Sequence, residues 1–395
     1  MQGRASVGIP CAEAGARRCY TEGSGARQGR RARYPVEPQS PTDLAALTLP
    51  ALERLIESQG LPRFRARQIF QWVWKRGATS FDGMSDLGRG LRAQLSERFR
   101  IDTPATVRHE HSEDGTQKLV LALADRRQIE CVYIPDTPAQ TFCVSTQVGC
   151  AMGCAFCLTG KMGLVRHLTA GEIAGQVRVL AAATGLLDAP FNIVLMGMGE
   201  PLHNYDATMQ ALALLNDEHG LAVSPRRVTL STVGLVPMID KLATEPLMPN
   251  LAISLHATTE PQRAALVPPS KKYGLHAVID ACKRFPVRKR SRITFEYVLL
   301  DGVNDTPADA RRLVKLLDGV KAKVNLIPLN AAPGIPFERP SDDRVNAFAR
   351  ILADRNVTVS VRKSRGRDIR AACGQLIVAG GHARSAAQAL AAELA

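Results

Sequence analysis

The sequence has no run of eighteen or so apolar residues, so nothing in it reads as a membrane-spanning helix, and its amino terminus lacks the apolar core of a secretory signal. A cytosolic protein with no membrane contact is expected. Acidic residues are also short, with 37 Asp and Glu against 51 Lys and Arg, giving a net charge of +14 and an isoelectric point near 9.6. That balance points to a polyanionic partner and says nothing about fold. Apolar residues at 45% and charged residues at 22% exclude a largely disordered or collagen-like chain. With 395 residues the chain outgrows a single core of roughly 250 to 300 residues, so a large domain with a smaller partner is expected.

Residues 1–40 carry seven Arg against Glu13, Glu22 and Glu37, a net of +4 that leaves +10 for the rest. They show little periodicity and read as a disordered basic tail; a transit peptide or a start site placed too far upstream would look the same. Two further basic runs, "RKRSR" (Arg288 to Arg292) and "RKSRGR" (Arg362 to Arg367), suit either phosphate contact or a solvated face. Nine cysteines in a large intracellular chain suggest metal or catalysis over a disulfide framework.

Between residues 41 and 100, apolar residues recur every three or four positions between Pro and Gly breaks, which predicts a small helical domain. Its Arg and aromatic content would suit RNA, but Phe70, Trp72 and Trp74 equally suit a stripe that packs the helices together. Residues 101–140 form a β-rich linker, with a hairpin turning at "ADRR". From residue 141 to 380 the strands "TFCVSTQ", "FNIVLMG", "RVTLSTVG", "LAISLHA", "ITFEYVLL" and "KVNLIPLN" alternate with amphipathic segments, and a last β-like run, "VTVSVRKS", follows; residues 381–395 are left as a tail. The helix after the first strand opens on a capping box, Thr169 to Glu172. Such alternation predicts an α/β fold, a partial (β/α)6 TIM-like barrel whose ligand site lies at the carboxyl ends of its strands.

The first strand leads into "TQVGCAMGCAFCLTG", where Cys150, Cys154 and Cys157 stand in the spacing C-x3-C-x2-C. Three thiolates can hold iron-sulfur or zinc. What is missing decides between them. A structural zinc site closes its tetrahedron, commonly with a second ligand pair, and only the isolated His167 follows nearby. A 4Fe-4S cluster held through three of its irons would instead leave one iron open for chemistry.

Spacing, location and strand pattern together resemble the radical SAM superfamily. The motifs "CVSTQVGCAMGCAFC", "GMGEPL", "STVG", "SLHA", "NLIPLN" and "RGRDIRAACGQL", met in that order over about residues 41–380, are similar to the RlmN-type (adenine-C2)-methyltransferases of 23S rRNA. The resemblance implies a 4Fe-4S cluster on Cys150, Cys154 and Cys157, and S-adenosylmethionine (SAM) held by Gly199, Glu200, Ser231, Ser254, Leu255, His256 and Asn330. Each of those has an ordinary structural reading as well: a tight turn for Gly197 and Gly199, an exposed acid at Glu200, strand-end polar groups elsewhere. An isolated cysteine is by default a buried, inert thiol, and Cys282 fits that default while Cys131 stays open. For Cys143 and Cys373 the resemblance implies chemistry, with Cys373 carrying the methyl group as S-methylcysteine and Cys143 resolving it. It also implies Glu130 as the group that takes a ring proton, against the alternative of a strand carboxylate facing solvent.

The implied partners are 23S rRNA before full ribosome assembly, tRNA at the adenosine 3′ of the anticodon, and an electron donor such as flavodoxin, with the enzyme acting as a monomer. Arg362, Lys363, Arg365 and Arg367 would guide the RNA strand. One departure from the family pattern lies in "NLIPLNAAPG", where Leu329 and Ala331 stand in place of Trp and another residue. Two rival readings remain: a Cfr-like enzyme acting at carbon 8 of the same adenosine, and a noncatalytic RNA-binding module stapled by zinc.

Overall fold

Strands alternating with amphipathic helices from residue 141 onward build one side of a ten-stranded sheet. The structure, a computed structural model, describes residues 41–135 and 139–378, which belong to the compact unit Pro41–Ala395. The tail read at residues 1–40 and the tail read at 381–395 lie outside the described residues. The ten strands are β1 (Ala105–His111), β2 (Gln117–Ala122), β3 (Gln128–Ile134), β4 (Thr141–Cys143), β5 (Asn192–Leu195), β6 (Val228–Thr232), β7 (Asn250–Ser254), β8 (Ile293–Leu299), β9 (Ala322–Pro328) and β10 (Thr358–Val361). They lie side by side in chain order. β1 to β4 pair antiparallel, and from β4 to β10 every pairing is parallel.

The six parallel strands read from the sequence are β4 to β9, and β10 is the last β-like run. In a flat sheet β5 and β10 would lie about 24 Å apart at the usual strand spacing. Residues of β5 (Leu195), β6 (Ser231), β7 (Ser254), β8 (Glu296) and β9 (Ile327), with Arg362 just beyond β10, nevertheless line one pocket, so the sheet curls. β1 and β10 are not paired, and the barrel is open, as expected of a partial one.

Local chemistry starts the elements where the sequence placed them. Thr169 Oγ1 accepts the Glu172 amide (3.2 Å) and Glu172 Oε2 accepts the Thr169 amide (2.9 Å), capping the helix Ala170–Thr184. The "ADRR" turn closes through the Leu123 amide on the Arg127 carbonyl (2.8 Å), with Arg126 at φ 65°. β1 has no apolar alternation because it is an edge strand with almost every side chain exposed.

Residues 41–101 contain the helices Leu49–Ser58, Phe64–Trp74 and Arg89–Arg98. Phe70 and Trp74 are fully buried, and the guanidinium of Arg178, from the capped helix, lies 5.4 Å from the Trp74 ring. Arg178 Nη2 donates to the Ala78 carbonyl (2.8 Å) and to Thr103 Oγ1 (3.1 Å). The packing reading therefore holds for these two aromatics, each contributing about 1.5–3 kcal/mol by burial. Trp72 is half-buried, donates to Asp86 Oδ1 (2.6 Å) and is covered by Arg76. No helix among the described residues is long and apolar enough to cross a membrane.

Candidate active site

The cysteine loop is more ordered than a bare loop. A short antiparallel ribbon, Gln147–Cys150 with Gly163–His167, brackets it and pairs Cys150 with Gly163. Cys150, Cys154 and Cys157 line one pocket at the carboxyl ends of the strands, together with Gly199, Glu200, Ser231, Ser254, His256, Asn330 and Cys373. The pocket is lined mainly by apolar side chains with a few polar groups among them, as cofactor sites are. Burial pushes the Cys150 thiol up to about 12 and raises Cys154 and Cys157 too, so the thiolate form needs a cationic partner.

Among the described residues no three His, Cys, Asp or Glu converge tightly enough to hold a single ion. A zinc ion draws its ligands to within about 2.3 Å of one point. A 4Fe-4S cluster takes each thiolate on a different iron, and three thiols lining one pocket suit it.

Two glycines let backbone pass where no side chain could. At Gly197 a Cβ would meet the Val144 carbonyl carbon and Ser145 Oγ at 2.7 Å. At Gly199, held at φ +106°, it would meet Gln147 Cβ at 2.7 Å and Thr146 Oγ1 at 2.8 Å. Glu200 follows, 2% exposed, its two carboxylate oxygens accepting the amides of Leu202 (3.0 Å) and Val233 (2.9 Å). Burial pushes its pKa up to about 7, and no Lys or Arg among the described residues pairs with it. A buried carboxylate short of a cation, reached through a glycine turn, suits the ammonium end of an amino-acid ligand.

Around the pocket, Ser231 and Ser254 at the ends of β6 and β7 approach to 3.3 Å. His256, at φ 59°, accepts the Val298 amide on Nδ1 (3.0 Å), so its proton sits on Nε2. Burial, with Arg263 nearby, holds its pKa down at about 3 and keeps the ring neutral. Arg263 is itself fully buried and donates to the carbonyls of Val233 (2.5 Å) and Leu255 (3.3 Å), tying the loops beyond β6 and β7 together. Asn330 Nδ2 reaches the Cys373 carbonyl at 3.5 Å, and its buried Oδ1 has no partner among the described residues, leaving an acceptor for a ligand. Leu329, where the sequence departs from the family pattern, is a wall residue.

Leu255, between the pocket residues Ser254 and His256, has its side chain in the core and outside the pocket lining. Its amide is spent on the Glu296 carbonyl (3.0 Å) and its carbonyl on Arg263. Cys143 and Glu130 also lie outside the pocket lining. Because Val132 on β3 sits opposite Cys143 on β4, strand alternation puts Glu130 and Cys143 on one face of the sheet and Cys131 on the other. Cys131 is thus a core thiol, as is Cys282. Burial, with Cys373 adding its charge nearby, pushes Cys143 up to about 12. The Glu130 carboxylate is buried, not solvent-facing; it takes the Lys118 ammonium (3.2 Å) and the Ile377 amide (2.8 Å), four residues past Cys373.

The segment carrying Cys373 is tied down on several sides. Thr159 Oγ1 donates to the Leu376 carbonyl (2.7 Å), the Leu158 amide to the Gly374 carbonyl (2.8 Å), and Gln375 Nε2 to the Ala331 carbonyl (2.9 Å). Sequence reasoning misses Glu296, a pocket residue on a strand buried along its whole length and bonded by Asn325 Nδ2 (2.7 Å). The signal is present, since a lone charge inside "ITFEYVL" has to be paired or functional.

Fold and site together define a radical SAM enzyme. Residues 144–314 match the radical SAM superfamily and residues 42–101 the ribosomal RNA large subunit methyltransferase N-terminal domain. The chain is 50% identical over 353 residues to the dual-specificity RNA methyltransferase RlmN of Anaeromyxobacter sp. (strain Fw109-5), covering 88% of this chain and 93% of that one. It is 45% identical over 371 residues to RlmN of Roseobacter denitrificans, covering 90% and 94%. The crystal structure of a radical SAM methyltransferase from Sphaerobacter thermophilus superposes with a TM-score of 0.82 at 48% identity, covering 85% of this chain and 99% of that one. The chain belongs to the RlmN family of radical SAM RNA methyltransferases, whose members use a 4Fe-4S cluster and SAM.

Gly199→Ala should isolate the glycine turn. A Cβ at φ +106°, against Gln147 and Thr146, must displace the turn at a cost on the order of 1–3 kcal/mol, so SAM affinity measured by equilibrium dialysis is expected to fall roughly 10- to 100-fold, with circular dichroism checking that the rest of the fold survives. Unchanged affinity would remove this turn from the cofactor site.

Proposed function

We propose that this protein methylates carbon 2 of an adenosine in 23S rRNA, and the adenosine 3′ of the anticodon in tRNA, through S-methylcysteine at Cys373. The observation that carries this is Cys373 lining the same pocket as the cysteine triad, Gly199 and Glu200. Carbon 2 of adenine is electron-poor and cannot attack a sulfonium as a ring nitrogen would. Its methylation therefore needs a carbon radical.

Bound together, the cluster and SAM supply a methyl group and a reductively generated radical able to remove hydrogen. Cys150, Cys154 and Cys157 hold the cluster; Gly199, Glu200, Ser231, Ser254, His256 and Asn330 orient SAM, with Leu255 shaping the turn from behind. Cys373 takes a methyl group as a thiolate nucleophile, displacing the sulfonium's thioether, and Arg362 borders the same pocket. The methyl carbon, after losing hydrogen, bonds to the base. Glu130 then accepts the ring proton, its pKa raised by burial above the usual carboxylate range and held back by the Lys118 ammonium. The base radical returns the one electron that reduction supplied, the Cys143 thiolate attacks the Cys373 sulfur, and the S–C bond breaks with its electron pair on the carbon, which takes a proton to become the new methyl group and leaves a Cys143–Cys373 disulfide for a reductant to reset.

An adenine stacked in a helix hides the reacting carbon, which favours free rRNA before ribosome assembly as the substrate. The enzyme acts as a monomer and draws electrons from a donor such as flavodoxin. The test is an anaerobic reaction with SAM, reductant and protein-free 23S rRNA, followed by mass spectrometry of the nucleosides. Wild type should yield 2-methyladenosine and Cys373→Ala none; 8-methyladenosine would move the chain to the Cfr-like reaction, and product from Cys373→Ala would sink the thioether route.

A further inference from the structure

Gln147 is fully buried yet carries an amide, and it lies outside the lining of the active-site pocket. A buried amide has to be satisfied, and this one is, at both ends. The Glu200 backbone N–H can only donate, so the atom facing it at 2.9 Å is the Gln147 carbonyl oxygen Oε1. That turns Nε2 toward two imidazoles, with His167 Nδ1 at 2.9 Å and His203 Nδ1 at 3.2 Å. Each ring therefore accepts on Nδ1 and carries its proton on Nε2. Burial, with His203 nearby, lowers the pKa of His167 and favours that neutral form. The two rings meet edge to face, their centroids 4.9 Å apart.

The same residue bears on the glycine turn through its backbone and its stem. The amides of Thr146 (2.8 Å) and Gln147 (3.2 Å) both donate to the Met198 carbonyl, and Gln147 Cβ fills the space that a side chain at Gly199 would need. Gln147 opens the ribbon strand that ends at Cys150, and His167 stands opposite it on the return strand. His203 lies beyond Glu200 and donates its amide to the Glu200 carbonyl (3.0 Å). One side chain thus joins the strand that delivers the first loop cysteine to the turn that presents Glu200.

We propose that Gln147, braced by His167 and His203, is a positioning residue for SAM: it sets Glu200, and with it the ammonium end of SAM, against the cysteine loop. The proposal rests on the reading of Glu200 as the ammonium's partner. Gln147→Met keeps the length of the side chain and removes both polar ends. Gln147→Glu keeps an acceptor for the Glu200 amide, its other oxygen meeting an imidazole protonated on Nδ1. His167→Phe combined with His203→Phe removes the brace at exposed positions, where folding is least at risk. Each protein is reconstituted anaerobically, analysed for iron and sulfide, and dialysed against SAM, with affinity counted per loaded cluster.

Gln147→Met should bind SAM about tenfold more weakly, the cost of one orphaned buried donor, the double histidine variant roughly threefold more weakly, and Gln147→Glu close to wild type. Unchanged affinity per cluster in the double histidine variant, or in loaded Gln147→Met, overturns the proposal even if cluster content falls, because it leaves Gln147 a part in folding alone. Gln147→Glu binding as weakly as Gln147→Met overturns it too, since the acceptor would then not be what matters. Glu200→Gln is the control: if it binds SAM as tightly as wild type, the reading of Glu200 itself falls.

Discussion

Cys143→Ala protein, given SAM, reductant and 23S rRNA, is expected to accumulate RNA covalently attached to Cys373. The expectation follows from placement. Cys143 ends β4 on the same face as Glu130, close enough to Cys373 to feel its charge, yet outside the pocket that holds the cysteine triad. A thiol so placed has no part in binding SAM or the cluster, and its removal should spare methyl transfer to Cys373 and radical addition. Only release fails, because without Cys143 no sulfur attacks the thioether. A denaturing gel would read the result as a protein band shifted by RNA, and peptide mass spectrometry would locate the bond. Free methylated RNA at the wild-type rate, with no shifted band, would show that another group resolves the adduct.

The second large effect concerns the triad. Cys154→Ala should lose iron and acid-labile sulfide together, and methylation should fall by more than ~10³-fold because the cluster acts as a unit. The reason is electrostatic. With burial pushing Cys150 up to about 12 and raising Cys157 as well, the two remaining thiols revert to neutral, weak ligands once the multi-iron charge is gone. Iron and sulfide analysis after anaerobic reconstitution measures the first part, and nucleoside mass spectrometry the second. A variant that kept both iron and activity would mean the triad is not the anchor.

These two sulfur functions are legible in the amino-acid sequence to different degrees. The triad shows itself in its spacing, the absent fourth ligand and the strand before it, because a cluster loop needs its thiols close along the chain. The βα series from β4 to β9 is legible for a related reason, since strands largely buried on both faces appear as short, dense apolar runs, whereas β10 shows only by its β-branched residues, most of them exposed. β1 leaves no such trace, as its side chains meet water on both faces. The ribbon around the cysteine loop escapes notice because four residues that include Gly149 and Cys150 carry no strand signature. Glu130, Cys143 and Cys373 are brought near one another only by tertiary structure, through strand register and the returning carboxyl-terminal segment, and nothing local in the sequence supplies that proximity. The motif at Ser254, Leu255 and His256 marks a stretch of chain and not the direction of each side chain, and that of Leu255 turns to the core.

That returning segment has a mechanical meaning. Its bonds run to the cysteine loop at Leu158 and Thr159, to the turn after β9 at Ala331, and to β3 at Glu130. Three anchors in distant parts of one compact unit hold the segment, so the position of the Cys373 sulfur, the methyl carrier of the proposed reaction, answers to the cysteine loop, the turn after β9 and β3 together.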